Sequence, residues 1–69
     1  MDAIDINYKL AKKGISQTNL ARSLGVSVVA VHRVIAGEIS SYNIASYIAQ
    51  RLDQPITKLW PGRYDKRAA

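Results

Sequence analysis

The feature that most constrains the fold of this chain is a glycine, Gly25, that separates two short segments of helical character. The segment before it starts at Ser16 and the segment after it starts at Ser27, and serine is a good N-cap for a helix. A helix that ends on glycine can leave through a left-handed backbone conformation without steric cost. Only Gly25, Val26 and Ser27 remain to join the two predicted helices, so a tight turn is predicted between them.

The side chains around Gly25 fit a helix-turn-helix over Gln17–Ala36. Ala21 stands where the two helices would cross, and a larger side chain at that point would push them apart. The other constrained positions hold aliphatic residues, which are expected to face inward and fix the angle between the helices: Leu20, Leu24, Val26, Val31 and Val34. The pattern requires a glycine at the turn and an alanine at the helix crossing, so it is more specific than an apolar stripe alone.

Three further helical segments flank this pair. The first is predicted from about Asp5 to Lys13, with Gly14 as its stop. The fourth starts near Ser40 or Ser41, and a short fifth turn spans residues 56–59. The residues predicted from helical spacing to be buried in these segments are Ile4, Tyr8, Leu10 and Ala11 in the first, Ile44, Ala45, Tyr47, Ile48 and Leu52 in the fourth, and Trp60 after the fifth. The fold class predicted is all-α, a small domain of four or five helices.

Length and composition exclude several classes of protein. A chain of 69 residues makes a single domain with a small core. It has no cysteine and one histidine, so neither a disulfide nor a metal site is expected. No cofactor is predicted either. The longest apolar run, Val28 to Val31, is far shorter than the roughly 20 residues of a membrane span. We therefore expect a cytoplasmic protein with no membrane partner.

An enzyme is not expected from the reactive side chains. The five acidic residues are scattered and form no paired-carboxylate motif. The serines share a single histidine with no acid beside it, and the chain has no glycine-rich phosphate loop.

The net charge points to an anionic partner. Ten Lys and Arg against five Asp and Glu give +5 at pH 7, and a small basic domain without cysteine is often a nucleic-acid binder. Charge alone leaves open a basic domain that is merely soluble. In a helix-turn-helix the second helix, residues 28–36, would enter the major groove with its first residues at the base edges.

The side chains left outward on that helix are the candidate base contacts: Val28, Val29, His32 and Arg33. The two valines are unusual on a surface, and the methyl group of thymine is an apolar partner for them. Arg33 can bind guanine with two hydrogen bonds or pair with a phosphate, and His32 can donate or accept. The alternative for the valine pair is packing against a partner protein.

From about Tyr8 to Trp60 the chain resembles the lambda-repressor and Cro type of helix-turn-helix domain. The segment Ile44–Tyr64 is similar to the Ner-type regulators of transposable phages, through Ala49-Gln50-Arg51-Leu52, Ile56 and Leu59-Trp60-Pro61-Gly62-Arg63-Tyr64. The resemblance implies a lambda-repressor-like fold and sequence-specific binding of a double-stranded DNA operator. It also implies a homodimer, in solution or on DNA, and a role as a phage or prophage repressor in the cytoplasm of a bacterial or phage-infected cell.

The resemblance places phosphate contacts at the starts of helices, where free N–H groups suit an anion. Gln17 matches the family's phosphate-contacting glutamine. Ala36 departs from the pattern, because many members of the family carry an asparagine at this position that contacts the DNA backbone. The expected phosphate contacts are Ser16, Gln17, Thr18, Ser27, Ser41, Tyr42 and Asn43.

The DNA-binding domain is predicted over residues 1–62, followed by a basic tail over residues 63–69 that is expected to be partly disordered. The tail could be a DNA-touching arm, a dimer contact or disorder. Two other functions stay open. The chain could be a protein-interaction module, such as the antitoxin or regulatory half of a protein pair, or it could bind DNA nonspecifically as an architectural protein.

Overall fold

The computed structural model describes residues 1–64, and these residues form five α-helices and no β-strand. In chain order the helices are α1 Ala3–Lys12, α2 Gln17–Leu24, α3 Val28–Ala36, α4 Tyr42–Leu52 and α5 Ile56–Leu59. The predicted all-α class is confirmed for this part of the chain. None of these helices is long and apolar enough to cross a membrane.

Serine hydroxyls start the three central helices. Ser16 Oγ accepts from the Asn19 amide at 3.0 Å, and Ser27 Oγ accepts from the Ala30 amide at 3.1 Å. Of the two serines predicted to open α4, Ser41 is the cap. Each hydroxyl satisfies one of the amides that a helix leaves unpaired at its first turn, so the sequence itself sets where these helices begin.

Helix α1 starts earlier than predicted. The Asp2 carboxylate accepts from the Asp5 amide at 2.9 Å, so the helix begins at Ala3 rather than near Asp5. A carboxylate at a helix N-terminus also interacts favourably with the helix dipole. The sequence pattern predicts a start near Asp5, and the observed start is earlier because Asp2 is the N-cap.

The buried face of α1 is the main correction to the sequence-based fold. Ile4 is 78% exposed and Tyr8 is 63% exposed, although both were predicted to be buried, and Ala11 is also exposed. The residues that α1 buries are Ile6 and Leu10. Both pairs are spaced one helical turn apart, and the contact of α1 with α3 selects the second pair.

Helix α3 lies at the centre of the molecule, in contact with α1, α2 and α4. Its Val31, Val34 and Ile35 are buried, as predicted. The core extends from them into every other helix and includes three residues outside the helices, Ile15, Trp60 and Tyr64. Its members are Ile6, Leu10, Ile15, Leu20, Ala21, Val31, Val34, Ile35, Ile44, Ala45, Ile48, Ala49, Leu52, Leu59, Trp60 and Tyr64. Three of the nine residues of α3 are thus buried in the core, and Val28, Val29, His32, Arg33 and Ala36 are exposed.

The packed part of the chain extends past residue 62, where the DNA-binding domain was predicted to end. Tyr64 is buried, and its ring meets the edge of Trp60 with the centroids 5.8 Å apart. Trp60 is buried as predicted, and Tyr47 is half-buried. Arg63 and Tyr64 therefore belong to the folded domain, and the rest of the predicted tail, residues 65–69, lies outside the described residues.

Candidate nucleic-acid interface

The turn between α2 and α3 has the geometry that a helix-turn-helix requires. Gly25 ends α2 in the left-handed region, at φ 70° and ψ 32°. A Cβ added at this glycine would meet no other atom within 4 Å, so the positive φ, and not crowding, is what favours glycine. Ala21 is buried, and its carbonyl accepts the Val26 amide at 3.0 Å, which closes the end of α2.

One residue of the turn differs from its predicted role. Val26 was expected to face inward and is 38% exposed. The three-residue turn runs over the surface of the molecule, so only part of a side chain on it can be covered. Leu24 is half-buried and packs against the core. Of the residues predicted to hold α2 against α3, Leu20, Ala21, Val31 and Val34 are buried.

The four candidate base contacts lie together on the outer side of α3. Val28 is 44% exposed and Val29 is 54% exposed, in the first turn of the helix. His32 and Arg33 follow in the next turn and are also exposed, and no hydrogen bond or ion pair within residues 1–64 engages their side chains. The result is a short outward row with an apolar beginning and a basic end.

The start of α2 is preorganised by a contact that the sequence did not reveal. The Gln17 side chain is half-buried, and its Nε2 donates to Asn7 Oδ1 of α1 at 2.8 Å. Ser16 Oγ donates to Asn19 Oδ1 at 2.8 Å while it caps the helix. Thr18 is exposed. Asn7 thus holds Gln17 in one orientation, with the second N–H of the Gln17 amide left for another acceptor.

The start of α4 is also held from outside the helix. The Ser41 amide donates to the Tyr64 hydroxyl at 3.2 Å, and Ser41 Oγ accepts from the Ile44 amide at 3.4 Å. The half-buried ring of Tyr42 meets the edge of Tyr64, with the centroids 6.3 Å apart. Asn43 is exposed. Of the three candidate phosphate contacts at the start of α4, Asn43 is therefore the exposed one, and Ser41 and Tyr42 are half-buried.

Arg63 is a residue of this region that sequence reasoning assigned to the tail. Its Nη1 donates to Ser40 Oγ at 2.6 Å, and its Nη2 donates to the Gly37 carbonyl at 2.8 Å. The signal that could have found it is Tyr64, since a tyrosine soon after the Pro61-Gly62 turn is a residue that a small core would bury. The structure brings Arg63 to the corner between α3 and α4.

Outside the helix-turn-helix, the described residues hold no cluster of metal-ligating side chains but do form a cleft. No group of three or more His, Cys, Asp or Glu within residues 1–64 is placed to hold a metal ion. A cleft of about 440 Å³ opens between the C-terminal ends of α1 and α4, and it is lined by Lys9, Lys12, Lys13, Leu52, Asp53 and Gln54. Its charged side chains are one carboxylate and three ammonium groups, so the cleft carries a net positive charge.

A helix-turn-helix with an outward second helix, on a basic chain, defines a DNA-binding domain. The sequence profile of a protein family described as winged helix-turn-helix DNA-binding matches residues 1–69, and the chain belongs to that family. Residues 1–64 contain no β-strand, so no two-stranded wing is part of the described fold. The comparisons found no matching curated protein and no matching solved structure.

Proposed function

We propose that this chain is a sequence-specific regulator of transcription that binds double-stranded DNA with α3 in the major groove. The observation that carries the proposal is the outward row on α3, in which Val28 and Val29 precede His32 and Arg33. Base edges offer a partner for each part of this row, namely thymine methyl groups for the valines and guanine for the arginine. The proposed site therefore contains both thymine and guanine.

Phosphate contacts at the starts of α2 and α4 would hold α3 in register. Gln17, fixed by Asn7, is the proposed contact from α2, with Ser16 and Thr18 beside it. Asn43 is the proposed contact from α4, together with Ser41 and Tyr42. Ser27 caps α3 and lies at the end of the helix that would face the duplex. Such contacts position a protein on DNA and carry no sequence information directly.

A phage or prophage repressor that acts as a homodimer is the particular regulator we propose. The support is the resemblance to the lambda-repressor and Cro type from about Tyr8 to Trp60, and to the Ner-type regulators over Ile44–Tyr64. Five short helices with a central helix-turn-helix agree with that resemblance. Two half-sites of an operator need two copies of α3, so a dimer forms in solution or on the DNA.

Salt titration on two kinds of duplex tests the proposal. A duplex selected from a random pool and a scrambled duplex of equal length are each titrated with the full chain at several salt concentrations. Sequence-specific readout predicts a preference for the selected duplex of about 10³-fold or more. A similar affinity for both duplexes would instead indicate architectural binding, and weak binding to both would contradict a DNA-binding function.

Substitution of Arg33 tests its assignment to a base. We expect Arg33→Ala to cost about 1–3 kcal/mol of binding to the selected duplex and to relax the preference at one base pair. The matched control is Arg51→Ala, which removes the same charge from an exposed position near the far end of α4. Equal losses of affinity in the two variants would mean that Arg33 contributes only through its charge and does not contact a base.

The exposure of Val28 and Val29 also supports a second function, a protein-interaction module such as the antitoxin or regulatory half of a pair. The same titration separates it from the first. An interaction module binds neither duplex well, and its Val28→Ser and Val29→Ser variants would leave that weak binding unchanged.

A further inference from the structure

The last described residues of the chain connect the end of α3 to the beginning of α4. Three side chains make the connection, and we refer to Trp60, Arg63 and Tyr64 together as the C-terminal clamp. Each makes a hydrogen bond to the segment from Ile35 to Ser41, between residues that are 23 to 26 positions apart in the chain. That segment contains the exit of the candidate recognition helix and the start of the helix that carries the candidate phosphate contacts.

Arg63 spans the corner with both arms of its guanidinium. Nη2 donates to the carbonyl of Gly37, the C-cap of α3, and Nη1 donates to Ser40 Oγ, one residue before the cap of α4. The fork of a guanidinium is planar and rigid, so two simultaneous bonds fix the separation of the two groups that it binds. Neither partner is charged, and no carboxylate of residues 1–64 pairs with Arg63.

Tyr64 fixes the first turn of α4 through its hydroxyl and its ring. Its hydroxyl accepts the Ser41 amide at 3.2 Å, and its buried ring lies edge-on to both Tyr42 and Trp60. Trp60 in turn donates from Nε1 to the carbonyl of Ile35, at 3.5 Å. The two ends of the corner are therefore joined through one aromatic cluster, in addition to the bonds of Arg63.

We propose that Arg63 and Tyr64 are positioning residues for DNA binding, because they fix the start of α4 relative to α3. This inference rests on the proposed function, in which α3 reads bases while Asn43 and its neighbours hold a phosphate. A hydrogen bond to a phosphate weakens steeply once the donor is displaced or turned away. If the segment between α3 and α4 could move, α3 could still enter the groove, but the phosphate contact from α4 would be lost.

Three variants and a control test the inference on the full chain, at low temperature where circular dichroism shows equal helix content. Arg63→Ala removes the fork, Arg63→Lys keeps the charge but cannot span both acceptors, and Tyr64→Phe removes only the hydroxyl. We expect affinity for the selected duplex to fall about tenfold for Arg63→Ala and about threefold to fivefold for Tyr64→Phe, the effect of losing one neutral hydrogen bond. Arg51→Ala is the control for charge.

The conservative variant and the salt dependence separate positioning from direct contact. If Arg63 acts through α4, Arg63→Lys remains weak and the slope of log affinity against log salt does not change. A direct bond from Arg63 to phosphate would instead be restored by lysine, and its loss in Arg63→Ala would lower the magnitude of the slope by about 0.9. Recovery by lysine with that change of slope would overturn the inference.

A double-mutant cycle with Asn43→Ala identifies the contact through which the clamp acts. Asn43 is exposed, and its side chain makes no bond within residues 1–64, so its removal should leave the fold intact. We expect Tyr64→Phe to cost much less affinity in the Asn43→Ala background than in the natural one. Additive losses, or natural affinity in both Tyr64→Phe and Arg63→Ala, would overturn the inference. Failure of the natural chain to prefer its selected duplex would be a separate result, since it would contradict the proposed function itself.

Discussion

Two helices of this molecule expose large apolar side chains, and they do so in different ways. On α1 the exposed pair is Ile4 and Tyr8, one helical turn apart. On α3 the exposed pair is Val28 and Val29, adjacent to each other in the first turn. The α1 pair is the more exposed of the two, yet it is the α3 pair that lies on the second helix of a helix-turn-helix. Exposure of apolar surface alone does not identify the candidate site, and its position in the motif does.

The chemical surroundings of the two pairs differ as well. Lys12 Nζ lies 5.5 Å from the centroid of the Tyr8 ring, so a cation already occupies one face of that ring. The α3 pair is followed by His32 and Arg33, whose side chains have no partner within residues 1–64. An apolar pair next to unpaired donors suits a base edge, whereas in the α1 pair the Tyr8 ring already has a cation as its neighbour. The predictions below test this distinction, beginning with the largest expected effect.

The inner and outer faces of α1 should respond very differently to the same substitution. Ile6 is fully buried, and we expect Ile6→Ala to reduce the free energy of unfolding by about 2–5 kcal/mol. Ile4→Ala on the exposed face should change it by less than about 0.5 kcal/mol. Urea denaturation followed by circular dichroism measures both values. Comparable losses in the two variants would mean that Ile4 is buried against a partner. Sedimentation would then test whether that partner is a second copy of the chain.

The crossing of α2 and α3 is the next most sensitive point. Ala21 is buried at the crossing, and we expect Ala21→Leu to cost about 1–3 kcal/mol of stability because the core has no room for three more carbons. Ala11→Leu, at an exposed position of α1, is the matched control and should be close to neutral. A variant as stable as the natural chain would show that the helices do not meet closely at Ala21.

How far the sequence alone could predict this structure depends on how local the determining interaction is. Gly25 and the serine caps act within one turn of the chain, so their roles were readable, and the end of α2 and the starts of α2 and α3 were predicted correctly. The buried face of α1 depends on which side meets α3. Since Ile4 and Tyr8 have the same spacing as Ile6 and Leu10, periodicity could not choose between them.

The candidate interface divides in the same way. The outward direction of Val28, Val29, His32 and Arg33 followed from the burial of the opposite face of the same helix, so local reasoning sufficed. Asn7 beside Gln17 and Arg63 beside Gly37 are contacts between residues 10 and 26 positions apart. Hydrogen bonds over such separations carry no periodic signature in a single sequence, and only the folded arrangement of helices reveals them.

The apolar pair on α3 should affect binding without affecting stability. We expect Val29→Ala to weaken binding to a selected duplex that contains thymine by about 1 kcal/mol, the contribution of one to two buried methyl groups. Because Val29 is 54% exposed in the free chain, the unfolding midpoint of the Val29→Ala variant should hardly differ from that of the natural chain. Replacement of the contacted thymine by uracil, which lacks the methyl group, should weaken the natural chain and leave Val29→Ala almost unchanged. An equal loss in both proteins would place another side chain against that methyl group.

The smallest effect is expected at Tyr8, the exposed aromatic residue of α1. Tyr8→Ala removes a ring that is 63% exposed and its contact with Lys12, and the cost in stability should be no more than about 0.5–1 kcal/mol, the size of an exposed cation–π interaction. Its affinity for the selected duplex should equal that of the natural chain within twofold, since neither Tyr8 nor Ile4 belongs to the proposed site. The Lys12→Ala variant should lose a similar amount of stability, and the double variant should lose no more than either single one. If Tyr8→Ala instead weakened DNA binding as much as Val29→Ala does, the outer face of α1 would have to be included in the interface, either against the duplex or against the second copy of the chain bound beside it.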